Sequence, residues 1–303
     1  MILQRTLVLP ADYRMRDVLA FHGRDGQGLA ETVGPDALRK GVMLDGVPVV
    51  LAVDFTPAAA TCRAEIDGAA SAAPAVLERR IDEALRSILG LRIDPAPFCA
   101  FAADPLLGPL VQRQQGLRIV QSASVFEALT WAIIGQQINL PFAIALRRTF
   151  IVLAGRRHSS GLWCYPEAAD VVKILVDDLT ARKFSRAKAD TLLRFASLVA
   201  SGELALAPGP DNPLERISQR LLAIKGIGPW TVNYGLLRGY GDADCSLHGD
   251  VAIRAALQRL LGEEQKPDIR RTEQILQRYR PHRTMAAAHL WASLSPRVAD
   301  DTA

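Results

Sequence analysis

The sequence predicts an α+β chain, with a mixed N-terminal part followed by a mostly α-helical remainder. Three observations carry this. The first hundred residues hold apolar patterns of both strand and helix period. Strand signals fade after Pro95 and Pro97. From Ser124 onward, capped amphipathic stretches follow one another with short connectors. A chain of 303 residues is long enough for two or three domains.

Taken in order, Gly46-Val47-Pro48 leads into the β-branched run Val49–Val53, and Cys62 to Ile66 alternates as a second strand. Between Ala73 and Leu91 the period changes: Leu77, Ile81, Leu85, Ile88 and Leu89 share one helical face, with Gly90 near its end. Ser124 and Glu127 form a capping-box pattern that opens a helix through Leu129, Ile133 and Ile134. Asn139-Leu140-Pro141 interrupts it and starts another, with Pro141 in the first turn. Further helices are expected from Pro166 to Leu179, from Ser185 to Ala200 and from Pro213 to Leu222. The expected segments are a mixed α+β part (1–100), a connector packing with the C-terminal helices (101–122), a helical part (123–242) and a C-terminal helical part (243–303).

Composition excludes several classes. Hydrophobic residues make up 49% and charged residues 22%, the profile of a folded chain rather than a disordered one. The balance of 36 Lys+Arg against 32 Asp+Glu leaves +4, so a polyanionic partner would need a local basic face. Four scattered cysteines without a C-x-x-C pair argue against a zinc ribbon, a thiol redox site or a disulfide scaffold, and fit a reducing compartment. Arg5 and Pro10 cut the first apolar run short of a signal-peptide core, and no stretch approaches the ~20 apolar residues of a membrane span. The expectation is a soluble intracellular chain.

The most informative stretch is Leu221-Leu222-Ala223-Ile224-Lys225-Gly226-Ile227-Gly228-Pro229-Trp230-Thr231. An apolar helix runs into Gly-x-Gly and a new helix restarts at Pro229, where a missing N–H does no harm. Its amides could bind phosphate, or the glycines could simply make a tight turn; spacing alone leaves both open. Downstream, Asp250 precedes an amphipathic helix with Ile253, Leu257, Leu260 and Leu261 on one face. It is either an ordinary N-cap or a fixed anion, and an anion near a phosphate-binding turn makes sense opposite a cationic transition state at a sugar.

Gly228-Pro229 followed by Asp250 resembles the helix-hairpin-helix Gly/Pro/Asp superfamily of DNA base-excision glycosylases. Gly228–Tyr234, Leu237-Arg238-Gly239, Ala132–Ile138 and His289-Leu290-Trp291 resemble its bacterial 3-methyladenine DNA glycosylase II branch. The resemblance spans nearly the whole chain and implies a TATA-binding-protein-like N-terminal domain before the helical glycosylase domains. It implies hydrolysis of the N-glycosidic bond of alkylated bases (3-methyladenine and 7-methylguanine type) in duplex DNA, by a monomer located at the bacterial nucleoid in the cytoplasm. Asp250 matches the essential carboxylate. Trp230, Tyr234, Trp291 and Phe21 match pocket aromatics, although for Phe21 a plain core role stays open. Lys225, Gly226, Ile227 and Gly228 match the turn that contacts the DNA backbone.

Trp230 stands where strand-cleaving members carry a lysine, and Lys225 lies on the wrong side of the turn to replace it. The resemblance therefore implies a monofunctional hydrolase. It implies no cofactor or side-chain metal site, with a monovalent cation at the hairpin carbonyls as the one option. Gln137, followed by Ile138, stands where an apolar leucine wedge is usual, and Gly249 stands where a second acid commonly precedes the essential one. His248 is expected on a solvent-exposed loop, and Cys245 has no basic activator nearby in sequence. The basic C-terminal arm, Arg254 to Arg283, reads either as a solvated helix face or as part of a DNA footprint. The alternative function is a non-catalytic DNA-binding protein that uses the hairpin only for grip.

Overall fold

The computed structural model describes residues 1–70 and 72–294; the end of the 243–303 segment, from 295 on, lies outside the described residues. The N-terminal part runs β1 (Ile2–Val8), α1 (Met15–His22), β2 (Glu31–Val33), β3 (Ala37–Leu44), β4 (Val47–Phe55), β5 (Ala59–Ile66) and α2 (Pro74–Ile88). The strands form one antiparallel sheet in the order β1-β5-β4-β3-β2. Asp45 and Gly46, both with positive φ, make the two-residue turn between β3 and β4. One sheet face carries Leu38, Leu51, Val53, Cys62 and Ala64 against Val18 of α1 and Leu77, Ile81 and Leu85 of α2.

The remainder is mostly helical. A 3-10 helix (Ala96–Ala103) precedes α3 (Gly108–Arg113), α4 (Val125–Gly135) and α5 (Leu140–Ala154). A two-stranded ribbon, β6 (Arg156–Arg157) with β7 (Trp163–Cys164), then interrupts the helices; no periodic signal announced it. It docks on the sheet: the Tyr165 N–H donates to the Gly41 carbonyl, and a Cβ on Gly41 would fall 2.1 Å from the Trp163 carbonyl oxygen.

The single helix expected from Pro166 to Leu179 is instead two short ones, α6 (Ala168–Val171) and α7 (Val176–Thr180). Leu175 is extended between them, and its N–H donates to the Asp178 carboxylate at 3.0 Å, so a local cap competes successfully with helix continuation. Then follow α8 (Arg186–Ala200), α9 (Leu214–Leu222) and α10 (Pro229–Gly235), which widens into a π-helical turn (Leu236–Tyr240). Last come α11 (Val251–Leu261), α12 (Ile269–Gln277) and α13 (Arg283–Ala292).

Two helical cores result. One gathers Leu129, Ile133, Phe150, Phe195, Ile224 and Ile227. The other joins Leu107, Leu110 and Ile119 to Ile253, Leu257 and Leu290 of the C-terminal helices. Helix α10 lies close against α4, since a Cβ on Gly235 would come within 2.5 Å of Leu129 Cδ2.

A buried ionic cluster joins sheet to helices. Lys40 of β3, only 2% exposed, donates to Glu31 of β2 and, at 2.7 Å, to Glu127 of α4. Arg147 of α5 pairs with Glu127 at 3.0 Å and with Glu31 at 3.5 Å. Burial pushes both carboxyls up, but Lys40 and Arg147 more than reverse this and hold them below the ordinary glutamate range. Their contribution is therefore present above the ordinary carboxylate pKa and lost as pH falls through the depressed values. Lys40→Met leaves two buried glutamates sharing Arg147, and should cost about 3–5 kcal/mol in denaturant unfolding at neutral pH. A loss below about 1 kcal/mol would mean that Arg147 alone neutralises both.

Candidate active site

The hairpin turn is anchored by apolar side chains and exposes its backbone. Ile224 and Ile227 are buried in the helical core, whereas Lys225 and Gly226 are exposed. Ile227 can therefore offer a backbone contact but not its side chain. The two glycines do different work. Gly226 has φ +94°, and a Cβ there would fall 2.1 Å from Thr191 Oγ1; Gly228 is extended, with open space where its Cβ would lie. Gly226 thus makes the turn, while Gly228 clears the approach to the first amides of α10. The Gly226 and Gly228 N–H groups have no acceptor among the described residues.

Asp250 is the N-cap of α11, and its carboxylate does more than cap. Oδ1 accepts the N–H groups of Ala252 (2.9 Å) and Ile253 (3.0 Å) and the Trp291 indole N–H (3.1 Å). Oδ2 accepts the Trp230 indole N–H at 2.8 Å. One tryptophan comes from the hairpin helix and the other from the last helix. The side chain is 9% exposed and held from two sides.

The other expected aromatics gather at the same place. The Trp230 and Tyr234 rings lie 5.3 Å apart, and those of Tyr234 and Trp291 6.5 Å. Phe21, from α1, joins them through arginine rather than directly: its ring lies 4.8 Å from the Arg238 guanidinium, which lies 5.4 Å from the Trp291 ring. Arg24 covers Phe21 at 3.7 Å. Trp131 of α4 fixes Tyr234 by donating its indole N–H to the phenolic oxygen at 2.9 Å. Sequence reasoning missed Trp131, Arg24 and Arg238 as site residues. Arg238 stood inside the quoted Leu-Arg-Gly motif but carried no assignment.

The turn after α4 points at the hairpin. Gln137 is exposed with φ +57°, while Ile138 is half-buried against the helical core, so of the two only Gln137 projects. Its neighbour Gln136, also missed, donates its amide to the Gly226 carbonyl (2.9 Å) and to Thr231 Oγ1 (2.7 Å). Lys188 of α8 donates to the Ile134 (2.6 Å) and Gln136 (3.1 Å) carbonyls, capping α4, and its burial lowers its pKa. The turn carrying Gln137 and the hairpin are thus tied by side-chain hydrogen bonds.

Three weaker candidates resolve. His248 is half-buried rather than solvent-exposed, because the Ser246 hydroxyl lies 2.9 Å from its Nδ1 and holds the ring against the loop. Cys245 is buried, and burial pushes its thiol pKa far up, away from nucleophilic use. Much of the basic C-terminal arm serves the fold: Arg271 pairs with Glu263, Arg278 with Asp104, and Arg280 and Arg283 with Asp244. No cluster of three or more His, Cys, Asp or Glu side chains suited to a metal occurs among the described residues.

No protein-family model matches the chain. It is 31% identical over 205 residues to a DNA-3-methyladenine glycosylase of Bacillus subtilis, an alignment covering 66% of this chain and 68% of that protein. The chain belongs to the DNA-3-methyladenine glycosylase family. Its fold is similar to that of the 3-methyladenine DNA glycosylase from Archaeoglobus fulgidus, with TM-score 0.80 and 21% identity over 95% of this chain and 97% of that one. It is also similar to Clostridium acetobutylicum 8-oxoguanine glycosylase/lyase in complex with double-stranded DNA, with TM-score 0.69 and 15% identity over 97% of both chains. Family membership thus rests on sequence, and the fold is shared with a glycosylase/lyase.

The unequal glycines make a prediction. Gly226→Ala should destabilise by about 2 kcal/mol or more, through backbone strain and collision with Thr191. Gly228→Ala should stay within about 1 kcal/mol, as an N-cap change alone. Thermal melts of the two variants compare them; the reverse order would show that Gly226 does not set the turn.

Proposed function

We propose that the chain is a monofunctional DNA glycosylase that hydrolyses the N-glycosidic bond of alkylated bases in duplex DNA. The observation that carries this is the Asp250 carboxylate, fixed by two indole N–H groups and two helix amides beside a backbone-exposing hairpin. In this reading the hairpin amides take DNA phosphate oxygens and position the duplex without reading sequence. Gln137 enters the stack as the damaged nucleotide turns out, offsetting a few kcal/mol of unstacking.

As the C1′–N bond breaks, its electron pair leaves with the base and positive charge develops at the sugar. Asp250 faces that charge in a site with little water, where a fixed anion acts strongly. Water then bonds to C1′ and gives up a proton to bulk solvent, leaving a hydroxyl on the sugar. Four N–H donors already orient the carboxylate, so little reorganisation is needed during the step. Trp230 occupies the place of the lysine that forms a Schiff base in strand-cleaving relatives, which supports hydrolysis without lyase activity. A non-catalytic grip would use none of the Asp250 geometry.

The same reading takes the five-stranded sheet with α1 and α2 as a TATA-binding-protein-like domain, and segments 1–100, 101–122, 123–242 and 243–303 as the units of one monomer acting at the nucleoid in the cytoplasm. It needs no cofactor. The Thr191 hydroxyl donates to the Lys225 carbonyl at 3.1 Å and the Gln136 amide to that of Gly226, and a monovalent cation at the hairpin carbonyls is the one option the reading keeps.

Asp250→Asn should abolish release of free base from methylated duplex, a loss of about 10³-fold or more, while duplex affinity persists. Excision within a few-fold of the parent would remove Asp250 from the mechanism. Borohydride treatment during turnover should trap no covalent protein–DNA adduct; a trapped adduct would establish a lyase step. Gln137→Ala should slow single-turnover excision from a paired lesion more than from a mismatched one. Equal rates on both duplexes, relative to the parent, would mean that Gln137 is not the wedge.

A further inference from the structure

A cavity with about 30 Å³ of free space adjoins the aromatic rings of the site, enough for a group the size of a water or an amine. Phe21, Trp131 and Tyr234 line it, together with Asp25, Gln121 and the buried ionic cluster. Within that cluster the charges are matched, since Lys40 and Arg147 face Glu31 and Glu127. Two other lining groups are not. Gln121 is fully buried, and its amide N–H donates to the Leu237 carbonyl at 3.1 Å. A carbonyl only accepts, so the amide cannot turn over, and Gln121 Oε1 is left without a donor among the described residues. Asp25 is buried as well. Its Oδ1 accepts from the Arg148 guanidinium at 2.8 Å and the Gln27 N–H at 3.1 Å, while its Oδ2 has no donor among the described residues. Buried acceptors cost stability until a donor fills the space beside them.

Tyr234 joins this cavity to the reacting end of the site. Its ring lies 5.3 Å from that of Trp230 and 6.5 Å from that of Trp291, the two residues whose indoles hold Asp250. The cavity is therefore one ring away from the groups that fix the carboxylate. In the glycosylase reading, a base whose C1′ faces Asp250 lies against these rings, with its edge remote from the sugar directed past Tyr234. Alkylated purines carry N–H donors on that edge: the 6-amino group of 3-methyladenine, and N1–H with the 2-amino group of 7-methylguanine. An amino group is the size of the space and supplies the donors that both acceptors lack.

Resting on the glycosylase reading above, we infer that Gln121 Oε1 and Asp25 Oδ2 are an acceptor pair that takes the edge N–H donors of the flipped base, so that the site favours alkylated bases carrying an amino group over those without one.

Two duplexes of identical sequence test this, one carrying 7-methylguanine and one 7-methylhypoxanthine, the same cation without the 2-amino group. For each, the single-turnover release rate is divided by the spontaneous rate. The parent should accelerate 7-methylguanine release more, by roughly tenfold or beyond, because a site built to accept an N–H discriminates against the analogue that lacks it. Gln121→Met removes one acceptor. Asp25→Asn, with its oxygen still held by Arg148 and Gln27, turns an amide N–H toward the cavity in place of Oδ2. Each variant should bring the ratio of the two accelerations down toward one. Equal losses on both duplexes in both variants would reduce the pair to a structural tie and overturn the inference. So would a parent with equal accelerations, a result that needs no folded variant and would leave the cavity to water. Release of neither base by the parent would overturn the glycosylase reading itself.

Discussion

The site depends on one arrangement: a single carboxylate held by hydrogen bonds from three parts of the chain. The backbone of α11 supplies two donors, the hairpin helix supplies the Trp230 indole, and α13 supplies that of Trp291. An N-cap aspartate alone keeps freedom about its side-chain torsions. Two indoles from outside its own helix remove that freedom and bring the C-terminal core against the hairpin. The packing around α11 and α13, where Ile253, Leu257 and Leu290 are fully buried, is what keeps Trp291 within reach of Asp250.

A second tie runs through Gln136. Its amide bridges the turn after α4 to the Gly226 carbonyl and to Thr231, while Lys188 draws in the last carbonyls of α4. The hairpin turn and the exposed Gln137 are therefore not independent loops. In the proposed reading, a shift of the hairpin on a phosphate would displace the Gln137 backbone through the same hydrogen bonds, so grip and insertion would share one unit. The close approach of α10 to α4 at Gly235 stiffens that unit from behind.

What the sequence disclosed follows the range of the interactions. Capping at Ser124 and Asp250, the turn at Gly226 and the helix faces of α2, α8 and α9 are set by residues a few positions apart, and all were readable. The break between α6 and α7 was local too, but Asp178 reads equally well as an ordinary helix residue until its bond to the Leu175 N–H is seen. Strands β1 and β3 gave little signal, although Asp45-Gly46 is a hairpin turn in plain sight. The ionic cluster was invisible. Lys40 looks like any charged strand residue, and Glu127 looks like a capping residue, until α4 and β3 are placed side by side. Trp230 and Trp291 were assigned to base stacking from resemblance, yet their N–H groups hold Asp250, a role that no spacing reveals.

Aromatic walls alone suggest a pocket for cations, since ring faces attract positive charge by roughly 0.5–2 kcal/mol each. Here that attraction is already used within the protein, by Arg24 and Arg238 on Phe21 and by Arg238 on Trp291. The rings therefore seat arginines as well as lining the site. In the proposed reading, hairpin amides face phosphate and Asp250 faces the sugar. Each group is opposite in sign to the charge that rests or develops next to it. In that reading the hairpin positions the duplex before any bond breaks, whereas Asp250 acts only as positive charge develops at the sugar.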